Sequence, residues 1–346
     1  MKRFIFGVIL LAATIKDIVA MTGLSLGTVS KYLNGHQVKE KNRVLIEESI
    51  EKLDFNVNLF ARGLRTKLSS NIGFIVPSLE LTFSTKIVAI IEKILAEHGY
   101  TVIICVVTGD SKVDKAKLQN LVYQKVDGLL VIPHANHQFL QQWLEVMVKS
   151  IPIIVLDRLF NSSTVQHFVL VDNANAAFKA TELLIKAGHR DVGIILGDRG
   201  GYTSDERRKG YLQALDHYHV PIKDEYQVYG KYLKAEGYKA CEQLLKLPNR
   251  PTAIFVTNYD MTLGVLECLN EHILQVYEDI SLIAFDLDEI SKVIKPNLAI
   301  VTQPVEEIGY YTAEEILKSL KGNHANPEIK ILECSIQQGA SIKEIN

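Results

Sequence analysis

From Asn71 onward, short β-branched runs alternate with amphipathic stretches of helical period, and no other feature limits the possible folds so tightly. The runs at 72–76, 101–107, 128–132, 152–156, 168–171, 192–196, 253–256, 281–285 and 298–302 read as strands. Stretches such as 85–98, 176–187, 204–218, 235–246 and 305–320 read as helices. Short apolar strands alternating with longer helices imply parallel α/β sheets. So many strands are too many for one comfortable open sheet, so two lobes are expected. The chain's 346 residues, 47% of them hydrophobic, suffice for two or three domains with sizeable cores.

Charge is shared unevenly. The formal net charge is -2, yet residues 1–69 carry net +5 and the remainder net -7. A basic head on an acidic body points to a polyanion-binding module in front. Cys105, Cys241, Cys268 and Cys334 lie far apart with no CxxC pair, which suggests reduced structural thiols rather than a disulfide framework or zinc site. No apolar run reaches the ~18–20 residues that span a bilayer, and a cytoplasmic protein is expected. Residues 1–13, MKRFIFGVILLAA, imitate a secretory signal. They are read instead as an atypical extension over 1–12, because the segment that follows suits the cell interior.

That segment is helical. Thr14 caps a run that sets Ile15, Ile18 and Val19 at helical spacing. Gly23 suits a left-handed turn, and Ser25 caps a second short helix over 26–33 whose Val29, Tyr32 and Leu33 share a face. A third helix over 40–53 is expected to bury Val44, Leu45, Ile50 and Leu53. Two short helices joined by a tight Gly-bearing turn describe a helix-turn-helix, although a plain helical hairpin shares the pattern.

The wording of the stretch is more specific than its pattern. Thr14-Ile-Lys-Asp-Ile-Val-Ala, followed by Gly23-Leu-Ser-Leu-Gly-Thr-Val-Ser-Lys-Tyr-Leu-Asn34, closely resembles the head of the lactose-repressor (LacI/GalR) family of transcription regulators. Asn58-Leu-Phe-Ala-Arg-Gly-Leu-Arg65 resembles the family's hinge, and the likeness runs from Ala13 to the end of the chain. It implies a helix-turn-helix DNA-binding domain over 13–56, a hinge over 57–69 and an effector-binding, dimerising body over 70–346. The body is then periplasmic-binding-protein-like, with three crossovers: lobe 1 about 70–158 and 303–321, lobe 2 about 159–302 and 322–346.

Reaction chemistry is not legible. There is no GxxxxGK[ST], dinucleotide fingerprint, GxSxG or HExxH. Gly197-Asp-Arg-Gly-Gly201 after a strand has the composition of a phosphate cradle, but reads as an ordinary Gly-rich loop. His134 and His137 have weak metal spacing and read as solvated loop histidines. No catalytic residue, metal or cofactor is expected, and the chain is read as not an enzyme.

A binding cleft is the better reading. Asp157, Asn258 and Asp286 each follow a strand directly, where ligands of doubly wound sheets sit. Helix capping competes for any one of them; three together suit a polyhydroxylated ligand. The family resemblance implies effector contacts at Asp157, Arg207, Asn258 and Asp286, a stacking aromatic at Tyr232, and an aromatic wall at Phe83. Leu81-Thr-Phe-Ser84 lacks the asparagine, proline and second aromatic of the family's segment there. Arg158 beside Asp157, and Lys231 beside Tyr232, favour a phosphorylated or acidic sugar over a neutral one unless both point to solvent.

On the DNA side, the resemblance implies base reading by Leu26, Gly27 and Lys31. An apolar side chain there touches a thymine methyl and a lysine reaches guanine. Ser25, Thr28, Ser30 and Asn34 suit phosphate contacts, while Ala61 and Leu64 match the hinge residues that wedge into the minor groove. The expected protein is a repressor, homodimeric on a palindromic operator. A secreted sugar-binding protein of a transporter and a sugar-acting α/β enzyme are the alternatives.

Overall fold

The computed structural model describes residues 13–33, 36–53, 55, 68–134, 138–160, 162, 165, 167–286, 291, 293–322 and 328–345. Asn34, Ala61, Leu64, His137 and the extension over 1–12 lie outside the described residues. Two compact units divide the chain, Met1–Ser69 and Ser70–Asn346.

The first unit contains α1 (Ile15–Thr22), α2 (Leu26–Leu33) and α3 (Glu40–Lys52). Local chemistry sets each end. Asp17 accepts from the Thr14 N–H and hydroxyl, both at 2.7 Å, and these bonds hold its carboxyl below the usual carboxylate range. Gly23 takes φ 67° and donates its N–H to the Val19 carbonyl at 3.0 Å, closing α1. Ser25 Oγ accepts from the Thr28 N–H at 3.2 Å, opening α2. Ile18, Val29, Ile46 and Phe55 form the buried centre, with Ile50 and Leu53 partly buried against it. Val44 does not join them: it is 41% exposed. The inward stripe of α3 runs through 46, 50 and 53, the helical i, i+4, i+7 series, so the expected Val44 and Leu45 give way to Ile46.

The body holds two sheets. Lobe 1 uses β1 (Asn71–Val76), β2 (Thr101–Val106), β3 (Gly128–Val131), β4 (Ile153–Leu156), β5 (His167–Val171) and β11 (Glu328–Leu332), in the order β11-β5-β4-β3-β1-β2 and all parallel. Lobe 2 uses β6 (Val192–Leu196), β7 (Gln227–Tyr229), β8 (Ala253–Val256), β9 (Ser281–Phe285), β10 (Ala299–Thr302) and β12 (Ser335–Gln337), in the order β12-β10-β9-β8-β6-β7. Only β12 runs antiparallel among these described strands. Lobe 1 carries α4 (Thr82–Glu97), α5 (Ser111–Tyr123), α6 (Gln138–Met147) and α11 (Val305–Leu320); lobe 2 carries α7 (Asn173–Lys186), α8 (Tyr202–His217), α9 (Lys234–Leu245) and α10 (Tyr259–Glu271).

Both faces of each sheet are covered. On β1, Phe74 enters one core cluster and Ile75 the other; on β6, Ile194 and Ile195 split the same way. This is why the strands read as continuous apolar runs rather than alternating ones. The expected lobe boundaries need correction. β5 pairs with β4, Ile154 opposite His167, so lobe 1 extends past 158 to Val171. β11 pairs with β5, so lobe 1 also claims 328–332, a stretch the resemblance places in lobe 2. The chain crosses between lobes after β5, after β10 and after β11. No helix among the described residues is long and apolar enough to cross a membrane.

Candidate ligand cleft and DNA-reading face

The carboxyl ends of the parallel strands from both lobes open on one cleft of about 460 Å³, counted out to its mouth. Phe83, Asp157, Arg158, Arg207, Tyr232, Asn258 and Asp286 all line it. Asp157 follows β4 at φ 68°, Asp286 follows β9 at φ 63°, and Tyr232 stands at φ 60°. Non-glycine residues held in the left-handed region cost on the order of 1 kcal/mol or more, and such strain gathers at functional sites.

Each polar side chain has a definite setting. Asp286 accepts from the Gln303 N–H at 3.1 Å, and from its side-chain amide as well. Asp157 accepts from the Thr203 hydroxyl at both its carbonyl (3.2 Å) and its carboxylate (3.4 Å). Asn258 does what the competing reading proposed: its Oδ1 accepts from the Met261 N–H at 2.9 Å and caps α10, while the residue still lines the cleft. Arg207, 3% exposed, donates from Nε to Asn173 Oδ1 at 2.8 Å and from Nη1 to the Thr257 carbonyl. Its guanidinium lies 3.7 Å from the Phe285 ring centre. Tyr232 is packed so closely over Gly197 that a Cβ there would stand 1.9 Å from Cζ. Burial pushes the Tyr232 phenol up to about 12, and its hydroxyl has no hydrogen-bond partner among the described residues.

The two basic residues added to the cleft separate. Arg158 is buried at 6% exposure, whereas Lys231 is exposed and outside the cleft lining. Gln303 and Thr203 are lining residues that the sequence reading missed. Gln303 is the first residue after β10, so the rule that found Asp157 finds it when applied to that strand. Across the cleft, Thr82 at the start of α4 in lobe 1 donates its hydroxyl to Asp260 Oδ1 of lobe 2 at 3.5 Å. Burial raises the Asp260 carboxyl above its usual range, and its Oδ2 has no hydrogen-bond partner among the described residues.

In the head, Leu26 is 51% exposed at the first position of α2, so it does not serve the core. Gly27 and Lys31 are exposed beside it, one helical turn apart; Ser25 is exposed, and Thr28 and Ser30 are half-buried. A Cβ on Gly27 would meet only Ser25 Oγ, at 3.9 Å, so nothing within the described head requires a glycine there. Tyr32 donates to Glu47 Oε1 at 2.7 Å, tying α2 to α3 from behind.

A helix-turn-helix head followed by a two-lobed body with a polar cleft defines a DNA-binding regulator with a ligand chamber. The periplasmic binding protein-like domain family matches residues 181–342. The chain is 33% identical over 329 residues to the probable HTH-type transcriptional repressor ExuR of Bacillus subtilis (strain 168), covering 92% of this chain and 95% of that protein. It is 30% identical over 334 residues to catabolite control protein A of Priestia megaterium, covering 95% and 99%. Its fold matches the Lac repressor bound to ONPG in the repressed state with TM-score 0.82 at 25% identity, covering 95% and 99%. The chain belongs to the lactose-repressor family of DNA-binding transcriptional regulators. Those relatives match through the head as well as the body, so the transporter and enzyme alternatives are not favoured.

Proposed function

We propose that this chain is a cytoplasmic repressor that binds a palindromic operator as a homodimer, and that a sugar-type effector held between its lobes sets operator affinity. One observation carries the reading: seven side chains picked from the sequence, contributed by both lobes, gather on one cleft at the strand ends. Phe83 and Tyr232 offer apolar faces for a sugar ring; Asp157, Asn258, Asp286 and Arg207 offer acceptors and donors for hydroxyls. A ligand touching both lobes favours one degree of closure over another, and by linkage it changes operator affinity by the same coupling free energy. Leu26, Gly27 and Lys31 read bases, with Ser25, Thr28, Ser30 and Asn34 on phosphates and Ala61 and Leu64 in the minor groove.

The test is a gel-shift of the full chain on self-symmetric DNA, with ligands chosen by a thermal-shift screen of sugars. A ligand that raises the melting temperature should change operator affinity, and Arg207→Ala and Asp286→Ala should each lose most of its binding by calorimetry. A protecting ligand that leaves operator affinity untouched, or that ignores both substitutions, removes the effector reading. Lys31→Ala should relax preference among operator variants; a uniform loss on every sequence, with a shallower salt dependence, would move Lys31 to the phosphate contacts.

A further inference from the structure

Gly197-Asp-Arg-Gly-Gly201, an ordinary Gly-rich loop by its sequence, ends beside the guanidinium of Arg158. A Cβ on Gly201 would stand 3.8 Å from Arg158 Nη1, so the loop and the guanidinium meet at the start of α8. That helix end has no side-chain cap. The N–H groups of Tyr202, Thr203 and Ser204 therefore have no acceptor within their helix, and the positive end of its dipole lies there. Ser204 is fully buried and its Oγ has no hydrogen-bond partner among the described residues. Asp205, the acid of this first turn, is exposed.

Arg158 is buried at 6% exposure, and its Nε has no hydrogen-bond partner among the described residues. Asp157 Oδ2 lies 3.5 Å from Nε, and the Tyr232 ring centre lies 5.8 Å from Cζ. Arg207, on the same cleft, has neutral partners in Asn173, Thr257 and Phe285. Asp286 is occupied by Gln303. A buried cation held by a single long ion pair is costly, and here two guanidiniums share the cleft with the Asp157 and Asp286 carboxylates.

We propose that Arg158 and the N-terminus of α8 form an anion subsite, and that the effector is a sugar bearing a phosphate or carboxylate. The inference rests on the sugar-cleft reading and names the chemical class of its ligand. The planar guanidinium matches either anion in a two-pronged bond, and the free amides of the helix end supply further donors.

The experiment is calorimetry and thermal shift on the full chain with matched probes: glucose, glucose 6-phosphate and glucuronate, the corresponding galactose and fructose series, and inorganic phosphate as competitor. The acidic member of at least one series should bind while its neutral parent binds roughly tenfold to a hundredfold more weakly or not at all. Phosphate competition against the phosphorylated probe, or preference for the uronate, tells which anion the subsite takes. Arg158→Met should lose that discrimination, and Arg158→Lys should recover only part of it. Neutral and acidic members binding alike overturns the anion subsite and leaves the sugar cleft standing, a result read on wild-type protein even if Arg158→Met fails to fold. Acidic binding unchanged in Arg158→Met also overturns it. No binding by any sugar overturns both readings together.

Discussion

The head and the body bury their apolar residues on different scales. In the head, Ile18, Val29, Ile46 and Phe55 are the buried apolar side chains among the described residues. In the body, a single strand such as β1 buries five of its six residues. A thin core leaves the head dependent on each of its few contacts and leaves most of its surface free to face a partner. A dense core leaves the body tolerant in total stability but intolerant of any added atom.

The largest test of that contrast is Ile46→Ala. Removing a fully buried isoleucine costs roughly 2–5 kcal/mol, which is a large share of what so small a unit holds, so the head should lose its helical signal while the body melts as before. Calorimetry of the full chain checks it; one shared transition lowered as a whole would break the contrast. Next comes Gly210→Ala in α8. A Cβ there would stand 1.9 Å from the Ala174 carbonyl oxygen, where α7 and α8 pack backbone to backbone. The body transition should fall by about 1–3 kcal/mol or more, measured by urea denaturation, with the head unmoved.

The same substitution in the head has the opposite sign. Gly27→Ala meets no clash and exchanges a poor helix former for the best, so the head should gain up to about 1 kcal/mol. Operator affinity should nevertheless fall, because the added methyl keeps the α2 backbone from the groove. Unchanged affinity in a gel-shift would remove Gly27 from the contact face.

The smallest effect belongs to Asp260. Burial holds its carboxyl raised, partly opposed by hydrogen bonds from Asn258 and Thr82. A raised acid contributes stability that is fully present below its ordinary value near ~3.9 and is lost as pH rises through the folded-state value. Asp260→Asn keeps an acceptor for Thr82 without the buried charge. The variant should melt above wild type at neutral pH, with the difference closing as the medium becomes acidic. A gap that widens toward acid would show the carboxylate to be stabilising where it lies.

Much of the fold was legible because its signals are local. Leu26–Leu33, Val192–Leu196, Ala253–Val256, Ser281–Phe285 and Val305–Leu320 are found at the ends the sequence suggests. β7, β11 and β12 escaped notice. Each is short or half-exposed, and Glu328–Leu332 presents Ile329 and Ile331 outward at a sheet edge, so no apolar run marks it. The cleft was legible for a related reason: a polar residue directly after an apolar strand is visible in order, and Asp157, Asn258 and Asp286 follow that rule. Gln303, directly after β10, obeys the same rule.

By itself the sequence determined the alternation, the caps at Thr14, Gly23 and Ser25, and the strand-end residues, since these depend on hydrogen bonds and periodicities among near neighbours. Only the tertiary structure decided that β5 and β11 belong to lobe 1, that Ile46 rather than Val44 faces the head's core, and that Arg158 is buried while Lys231 meets water. Sheet partners, helix rotation and the dielectric around a charge are set by segments tens or hundreds of residues apart, and no local window of the chain contains them.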